Sequence, residues 1–313
     1  MQSENKKQII PVFYAADNNY LPYLAVALES LKLYKNKNYQ YNVHILYTGD
    51  LGDNAAKVKA YEDDNLSVNF EDVTDKISRI GDFVHCRDYY TDAIYYRLFI
   101  PELFPQYDKA IYLDCDTVLL TDIAELYLQD IGDNYIGAVA DQAVAAVPAF
   151  CEYTKNALGI LSENYFNSGV IVMNLVQLRK IGFYQVFGDV LGSYDFIIAP
   201  DQDCLNLICK DKVYYYGAEW NRMPIGGQTS EKLKLVHYNL TMKPWHYDGI
   251  LFSEYFWDFA KKTEFYDFIC NAKASFSPAQ AEADKVGSSK LIALAQSEAD
   301  NPNNYIRTAG KNK

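Results

Sequence analysis

The chain opens on an apolar run, Ile9 to Ala16, interrupted by Pro11 and closed by Asp17, which reads as a buried strand. Tyr20 to Tyr34 carries apolar residues at helical spacing, Asn42 to Tyr47 reads as a second strand, Asn54 to Glu62 as a helix, and Ser67 to Phe70 as a third strand. Strands alternating with helices over short connections predict an α/β fold with a doubly wound, mostly parallel sheet. The alternation continues through a helix from Thr91 to Leu103, stopped near Pro105, and a strand at Lys109–Leu113. Beyond these lie strands at Tyr135–Ala140, ending on Asp141, and at Gly169–Asn174, preceded by Asn167-Ser168. One helix from Leu175 to about Tyr194 follows, then another opened by Asp201-Gln202-Asp203 and running through Lys210. After Asn271 the aromatics thin out and Ala, Ser, Gln and Lys dominate. The expected organisation is a catalytic domain over 1–270 and a short helical, partly loose C-terminal extension over 271–313 that adds little apolar area to the core and is dispensable for it.

Ile111-Tyr112-Leu113-Asp114-Cys115-Asp116 is where this pattern acquires chemistry. Side chains two apart on a strand share a face, so Asp114 and Asp116 project together from the end of a buried strand. Two neighbouring carboxylates repel, and a divalent cation is the simplest reason to hold them there. On repulsion alone, Asp116→Ala should leave the melting temperature level or slightly raised. The same string fits the nucleophile motif of haloacid-dehalogenase-like phosphatases, and a short D-x-D is also a common solvated turn. Asp17 with Asn19, Asp141 and Asn167 stand at other strand ends, which in a doubly wound sheet line one edge. His237-Tyr238-Asn239-Leu240-Thr241-Met242-Lys243-Pro244-Trp245 lies downstream; its imidazole could complete a mixed N/O metal site, which suits Mn²⁺ better than Mg²⁺, and Lys243 could meet a phosphate.

Each residue also has a plainer role. His237 taken alone is more often a hydrogen-bonded structural histidine, and His44, His85 and His246 read as structural or surface residues. Asp17 and Asn19 suit a helix cap, Asp201 and Asp203 the start of a helix, Asn167 a turn, and Trp245 packing.

Composition narrows the classes. A formal net charge of -12 leaves no basic footprint for nucleic acid and disfavours adsorption to anionic lipid. The six cysteines show no C-x-x-C spacing and read as free thiols in a reducing compartment. The first residues lack a signal-peptide core, which gives a cytoplasmic expectation, with peripheral contact at the inner membrane face through the tail left open. The 28 tyrosines and 16 phenylalanines suit sugar rings, although most belong to the core.

Taken in order, Ala15-Ala16-Asp17-Asn18-Asn19-Tyr20, Tyr96-Arg97-Leu98, Leu113-Asp114-Cys115-Asp116, Gly137-Ala138-Val139-Ala140-Asp141, Tyr165-Phe166-Asn167-Ser168-Gly169-Val170, Asp201-Gln202-Asp203 and the His237–Trp245 block resemble glycosyltransferase family eight. These are retaining GT-A enzymes that include bacterial lipooligosaccharide galactosyltransferases and the glycogenins. The resemblance runs from about Pro11 to Tyr247, and it explains the first strand, the D-Q-D helix start and the His237 block, which the phosphatase reading leaves over. It implies that Ala15 and Asp17 hold uracil, Asn19 the ribose, and that Arg97 and Cys115 belong to the donor site. Asp114, Asp116 and His237 would ligate Mn²⁺ (Mg²⁺ as substitute), with Asp114 also on the ribose and Lys243 on the diphosphate. Asp141, Asn167, Asp201 and Gln202 would surround the donor sugar, with Gln202 nearest the reacting carbon. The implied activity is transfer of galactose or glucose from UDP-galactose or UDP-glucose to a glycan, lipid or protein acceptor. A nucleotide-sugar-binding regulator, self-glycosylation on a tyrosine, and a homo-oligomer remain open alternatives.

Overall fold

The computed structural model describes residues 7–76, 92–226 and 232–308. In chain order its strands are β1 (Gln8–Ala15), β2 (Tyr39–Tyr47), β3 (Leu66–Asp72), β4 (Lys109–Leu113), β5 (Thr117–Leu119), β6 (Ile136–Ala140), β7 (Phe166–Asn174), β8 (Val213–Tyr215) and β9 (Leu235–His237). Seven form one sheet in the order β3-β2-β1-β4-β7-β6-β8, and β5 pairs with β9 in a separate ribbon. All neighbours in the large sheet are parallel except β7, which runs against both β4 and β6. The expected α/β, mostly parallel architecture with a helical C-terminal extension is therefore what the chain adopts.

Strand parity sorts the core into two layers. Val12 and Tyr14 of β1, with Ile111 and Leu113 of β4, pack on the face carrying the helix Leu21–Tyr34, Trp245 and Phe256. Phe13, Ala110 and Tyr112 point to the other face, against Leu178, Phe187 and Leu205 from the helices beneath. Pro11 is accommodated in a central strand because the β1–β4 ladder begins only at Val12.

Three expectations change in detail. The single helix from Leu175 to Tyr194 is two, Leu175–Lys180 and Phe183–Ser193, because Gly182 takes a left-handed conformation (φ 64°) that stops the first. The segment before Pro105 is a tight 3₁₀ run, Asp92–Phe99, followed by one α-turn, Ile100–Leu103; Thr91 lies outside the described residues, as does His85. The extension is also more than a loose end. A helix at Pro278–Asp300 starts with a capping box, Ser277 with Gln280, and buries Ala295 and Ala299, while Tyr305 beyond it is buried too. The residue-270 boundary falls inside the helix Tyr266–Ser275.

The direction of β7 builds the site. Because it runs backwards, its first residues lie beside the last residues of β4 and β6. The β6–β7 register breaks between Ala138 and Ala140, where Ile171 and Phe166 are the partners; the intervening β7 residues bulge out of the ladder. Asn167 and Ser168 thus reach the carboxyl edge as buried strand residues, where a turn was the alternative.

Candidate active site

Asp114 and Asp116 follow β4 on a turn locked from several sides. Thr117 Oγ1 donates to the Asp114 carbonyl (2.8 Å), Asp114 N donates to Gly169 O (2.7 Å), and Tyr238 N donates to Asp116 O (2.9 Å). The β5–β9 ribbon pairs Thr117 with His237, which carries the imidazole to the carboxylates. One ligand atom from each of Asp114, Asp116 and His237 falls within 4.8 Å of the others. His237 Nε2 is 3.2 Å from Asp116 Oδ1 and 3.7 Å from Asp114 Oδ2. Gly169 makes the convergence sterically feasible, since a Cβ there would run into both His237 and Asp114.

The donor chemistry of this cluster fits a divalent cation. Asp116 Oδ1 is buried and has no hydrogen-bond partner among the described residues. Nδ1 of His237 lies 3.0 Å from Asn221 Oδ1, an acceptor, so Nδ1 carries a proton and Nε2 is the ring nitrogen that faces the carboxylates and can ligate. Two carboxylates and an imidazole nitrogen converging at these distances form a ligand set for a divalent cation. The other Asp116 oxygen is ion-paired with Lys243, whose Nζ also donates to Tyr238 O (2.7 Å). Burial works to raise the Asp116 carboxyl, but Lys243 and His237 outweigh it and hold it well below the ordinary carboxylate range. Lys243 shows the complement: burial pulls it down, yet Asp116 leaves it raised. The expectation that the acidic pair is simply repulsive is thereby corrected, because a buried ammonium already compensates it.

Beside the cluster lies a second constellation. Arg97 is buried with its guanidinium over the Tyr112 ring (4.2 Å), bonded to Asp114 Oδ1 (3.2 Å) and to the Ser168 carbonyl, and 3.9 Å from Asp201. Burial pushes the Asp201 carboxyl up against the pull of Arg97, and Ser168 Oγ donates to it (3.2 Å). Asp141 caps the helix Gln142–Ala146 through one oxygen, accepting from Ala143 N and Val144 N (both 2.9 Å). Its other oxygen accepts from Asn167 Nδ2 (3.0 Å) and Gln202 Nε2 (3.1 Å). Gln202 Oε1 in turn accepts from Ser168 N (2.9 Å) and Asn167 Nδ2 (3.2 Å). Arg97, Asp114, Asp116, Asp141, Asn167, Asp201, Gln202 and His237 line one cleft. Its far wall is apolar, with Val144, Phe150, Ile198 and, from the C-terminal helix, Leu291.

Residues 11–249 match the family described as Glycosyl transferase family 8. The chain belongs to that family. Among its relatives, General stress protein A of Bacillus subtilis is 26% identical over 269 residues, covering 77% of this chain and 89% of that one. The lipopolysaccharide glucosyltransferase WaaO of Escherichia coli is 24% identical over 265 residues, covering 78% and 74%. Among solved structures, galactosyltransferase LgtC, in complex with donor and acceptor sugar analogs, superposes with a TM-score of 0.69 at 27% identity over 82% of this chain and 96% of LgtC. The apo structure of the bifunctional glycosyltransferase WbbM reaches a TM-score of 0.74 at 24% identity; the chain spans 53% of its length, and this likeness concerns the fold. The fold is GT-A, and a family 8 member with it is a glycosyltransferase.

The remaining sequence candidates sit around this cleft. Cys115 turns inward, its Sγ donating to Ala15 O (3.1 Å), which ties the end of β1 to the acidic turn; burial pushes its thiol up. Asp17 Oδ1 accepts from Tyr20 N (2.9 Å) in the turn that precedes the helix Leu21–Tyr34, which has no side-chain cap, and Asn19 is exposed beside it. Trp245 stacks on Tyr23 (4.0 Å between centroids), and His44 and His246 are held by Glu71 and Phe276, respectively. Sequence reasoning missed Asn221, Ser168 and the place of Leu291, from the expected C-terminal helix, in the cleft wall. Ser168 stood next to a chosen residue; Asn221 belongs to no string with recognisable spacing, and only the fold could reveal it.

Proposed function

We propose that this family 8 glycosyltransferase moves galactose or glucose from its UDP donor to a glycan, lipid or protein acceptor with retention of the α configuration, using Mn²⁺ held by Asp114, Asp116 and His237. The observation that carries this reading is the buried Asp116 oxygen without a hydrogen-bond partner, 3.2 Å from His237 Nε2, beside a cleft lined by Asp141, Asn167, Asp201 and Gln202. The imidazole ligand favours Mn²⁺ over Mg²⁺. When bound, the metal supplies Lewis-acid stabilisation of the departing diphosphate.

The chain's own residues account for the rest. Lys243 and Arg97 are buried cations that meet the phosphate charge as it develops, in a site where water screens them little. Asp141 and Asp201 face the sugar and favour positive charge at its anomeric carbon. Gln202 is an amide and supplies no general base. Its oxygen already accepts from a backbone N–H and from Asn167, which leaves it poorly disposed to attack carbon and supports front-side delivery of the acceptor, with its proton passing to the leaving phosphate. Ala15, Asp17 and Asn19, at the end of β1, are proposed for the nucleoside, and the apolar wall with Leu291 for the acceptor side.

A panel of nucleotide sugars, followed by UDP release with Mn²⁺, Mg²⁺ or chelator, tests the donor and the metal. Turnover with a UDP-hexose is expected to vanish with chelator and return best with Mn²⁺; equal UDP affinity by calorimetry with and without chelator would refute the metal site. Proton NMR of the first product is expected to show an α-anomeric coupling, and a β linkage would refute retention.

A further inference from the structure

Asn221 is fully buried, directly after the 3₁₀ turn Ala218–Trp220, and its side chain joins the two halves of the cleft. On one side its Oδ1 faces His237 Nδ1 (3.0 Å); on the other its Nδ2 donates to Asn167 Oδ1 (3.0 Å). Both ends of this chain of amides are set by groups with a fixed role. Gly169 N, a backbone donor, bonds Asn167 Oδ1 (3.0 Å), and the Asp141 carboxylate accepts from Asn167 Nδ2 (3.0 Å). Asn167 is therefore oriented one way only, oxygen toward Asn221. Asn221 must then present its NH₂ to Asn167 and its oxygen to His237. A proton of His237 is consequently placed on Nδ1, which reserves Nε2 as the nitrogen that can ligate. The backbone of Asn221 is anchored as well, its carbonyl accepting from Gln142 Nε2 (2.8 Å), next in sequence to Asp141.

We propose that Asn221 is a positioning residue that selects the metal-ligating tautomer of His237 and couples it, through Asn167, to the Asp141–Gln202 side of the cleft. The proposal rests on the metal reading given above. Outer-sphere partners of a ligating histidine fix its tautomer and its basicity, and their loss typically costs about 10- to 100-fold in metal affinity. An amide serves both neighbours, since its oxygen accepts from the imidazole while its NH₂ donates to Asn167.

Two substitutions separate the halves of this role. Asn221→Asp keeps an acceptor for the Nδ1 proton but sets oxygen against Asn167 Oδ1. Asn221→Leu removes both contacts. Mn²⁺ binding is read by the loss of the free-ion electron paramagnetic resonance signal at saturating UDP, and UDP and UDP-hexose affinities are compared by calorimetry with Mn²⁺ present. Asn221→Leu is expected to lose roughly 10- to 100-fold in Mn²⁺ affinity. Asn221→Asp is expected to bind Mn²⁺ as the wild type does, while losing the difference between UDP-hexose and UDP. Wild-type Mn²⁺ affinity in a folded Asn221→Leu, or an unchanged UDP-hexose preference in Asn221→Asp, overturns the coupling. If Asn221→Leu does not fold, Asn221→Asp decides alone. Failure of the wild-type chain itself to bind Mn²⁺ overturns the metal reading instead.

Discussion

Asp116 shows how far a single residue departs from what its neighbours in sequence suggest. Beside Asp114 it reads as half of a repulsive pair, but the fold gives it Lys243, which lies 127 residues away in sequence. Removing one member of a buried ion pair strands the other, at a cost of roughly 3–5 kcal/mol. Asp116→Ala is therefore expected to abolish turnover and also to lower stability toward urea, and Asp116→Ala with Lys243→Met is expected to recover most of that loss. Asp203 departs in another way. It reads as a charge at a helix start, yet it is fully buried and accepts from Tyr165 OH (2.6 Å), Tyr153 OH (2.8 Å) and Ala199 N (3.2 Å). Burial raises its carboxyl to about 7, against which the tyrosine bonds pull only in part. The folded chain then holds a proton that the unfolded chain releases from about pH 4 upward. This contribution is present in full below the unfolded value and is lost as pH rises through 7. Urea denaturation is expected to show stability falling across that window by up to about 4 kcal/mol from this group, and Asp203→Asn is expected to flatten the slope.

At the scale of elements, strands and helices with a strong apolar period were legible. Lys109–Leu113 was read to the residue, and β1 to within one residue at each end. What escaped was packing that relies on small or polar residues. The helix Pro278–Asp300 turns Ala295 and Ala299 to the core and buries Glu298 against Tyr194 and Asn301, so its buried face carries little hydropathy to detect. Its docking partners include the helix Pro148–Tyr153, itself unread in the sequence, with Gln296 bonded to Glu152 (2.8 Å). A chain ending at Phe276 would expose this surface and remove Leu291 from the cleft. It is expected to melt several degrees lower and with reduced cooperativity, measured by calorimetry; an unchanged melting curve would show that the extension is a separable unit.

Across the whole molecule, the family and the sheet were legible because the chain returns to one edge at regular intervals, and each return leaves a short polar string after an apolar run. Asp114, Asp116, Asp141, Asn167, Asp201, Gln202 and His237 were all named from such strings and meet in one cleft. The connections among them were not legible, because hydrogen bonds such as Asn221 to His237 depend on tertiary approach and leave no periodic trace. No helix among the described residues is long and apolar enough to cross a membrane.

The bulge at the start of β7 has a further consequence. There the sheet gives up ladder bonds, and the amides are taken over by side chains: Phe166 N by Asn206 (2.8 Å), Ser168 N by Gln202 (2.9 Å), Gly169 N by Asn167 (3.0 Å). Two residues that line the cleft, Gln202 and Asn167, are thus also the seam of the sheet. A substitution at Gln202 or Asn167 removes the acceptor of a backbone amide, so it is expected to lower hydrogen-exchange protection at Ser168 or Gly169 as well as to alter the cleft.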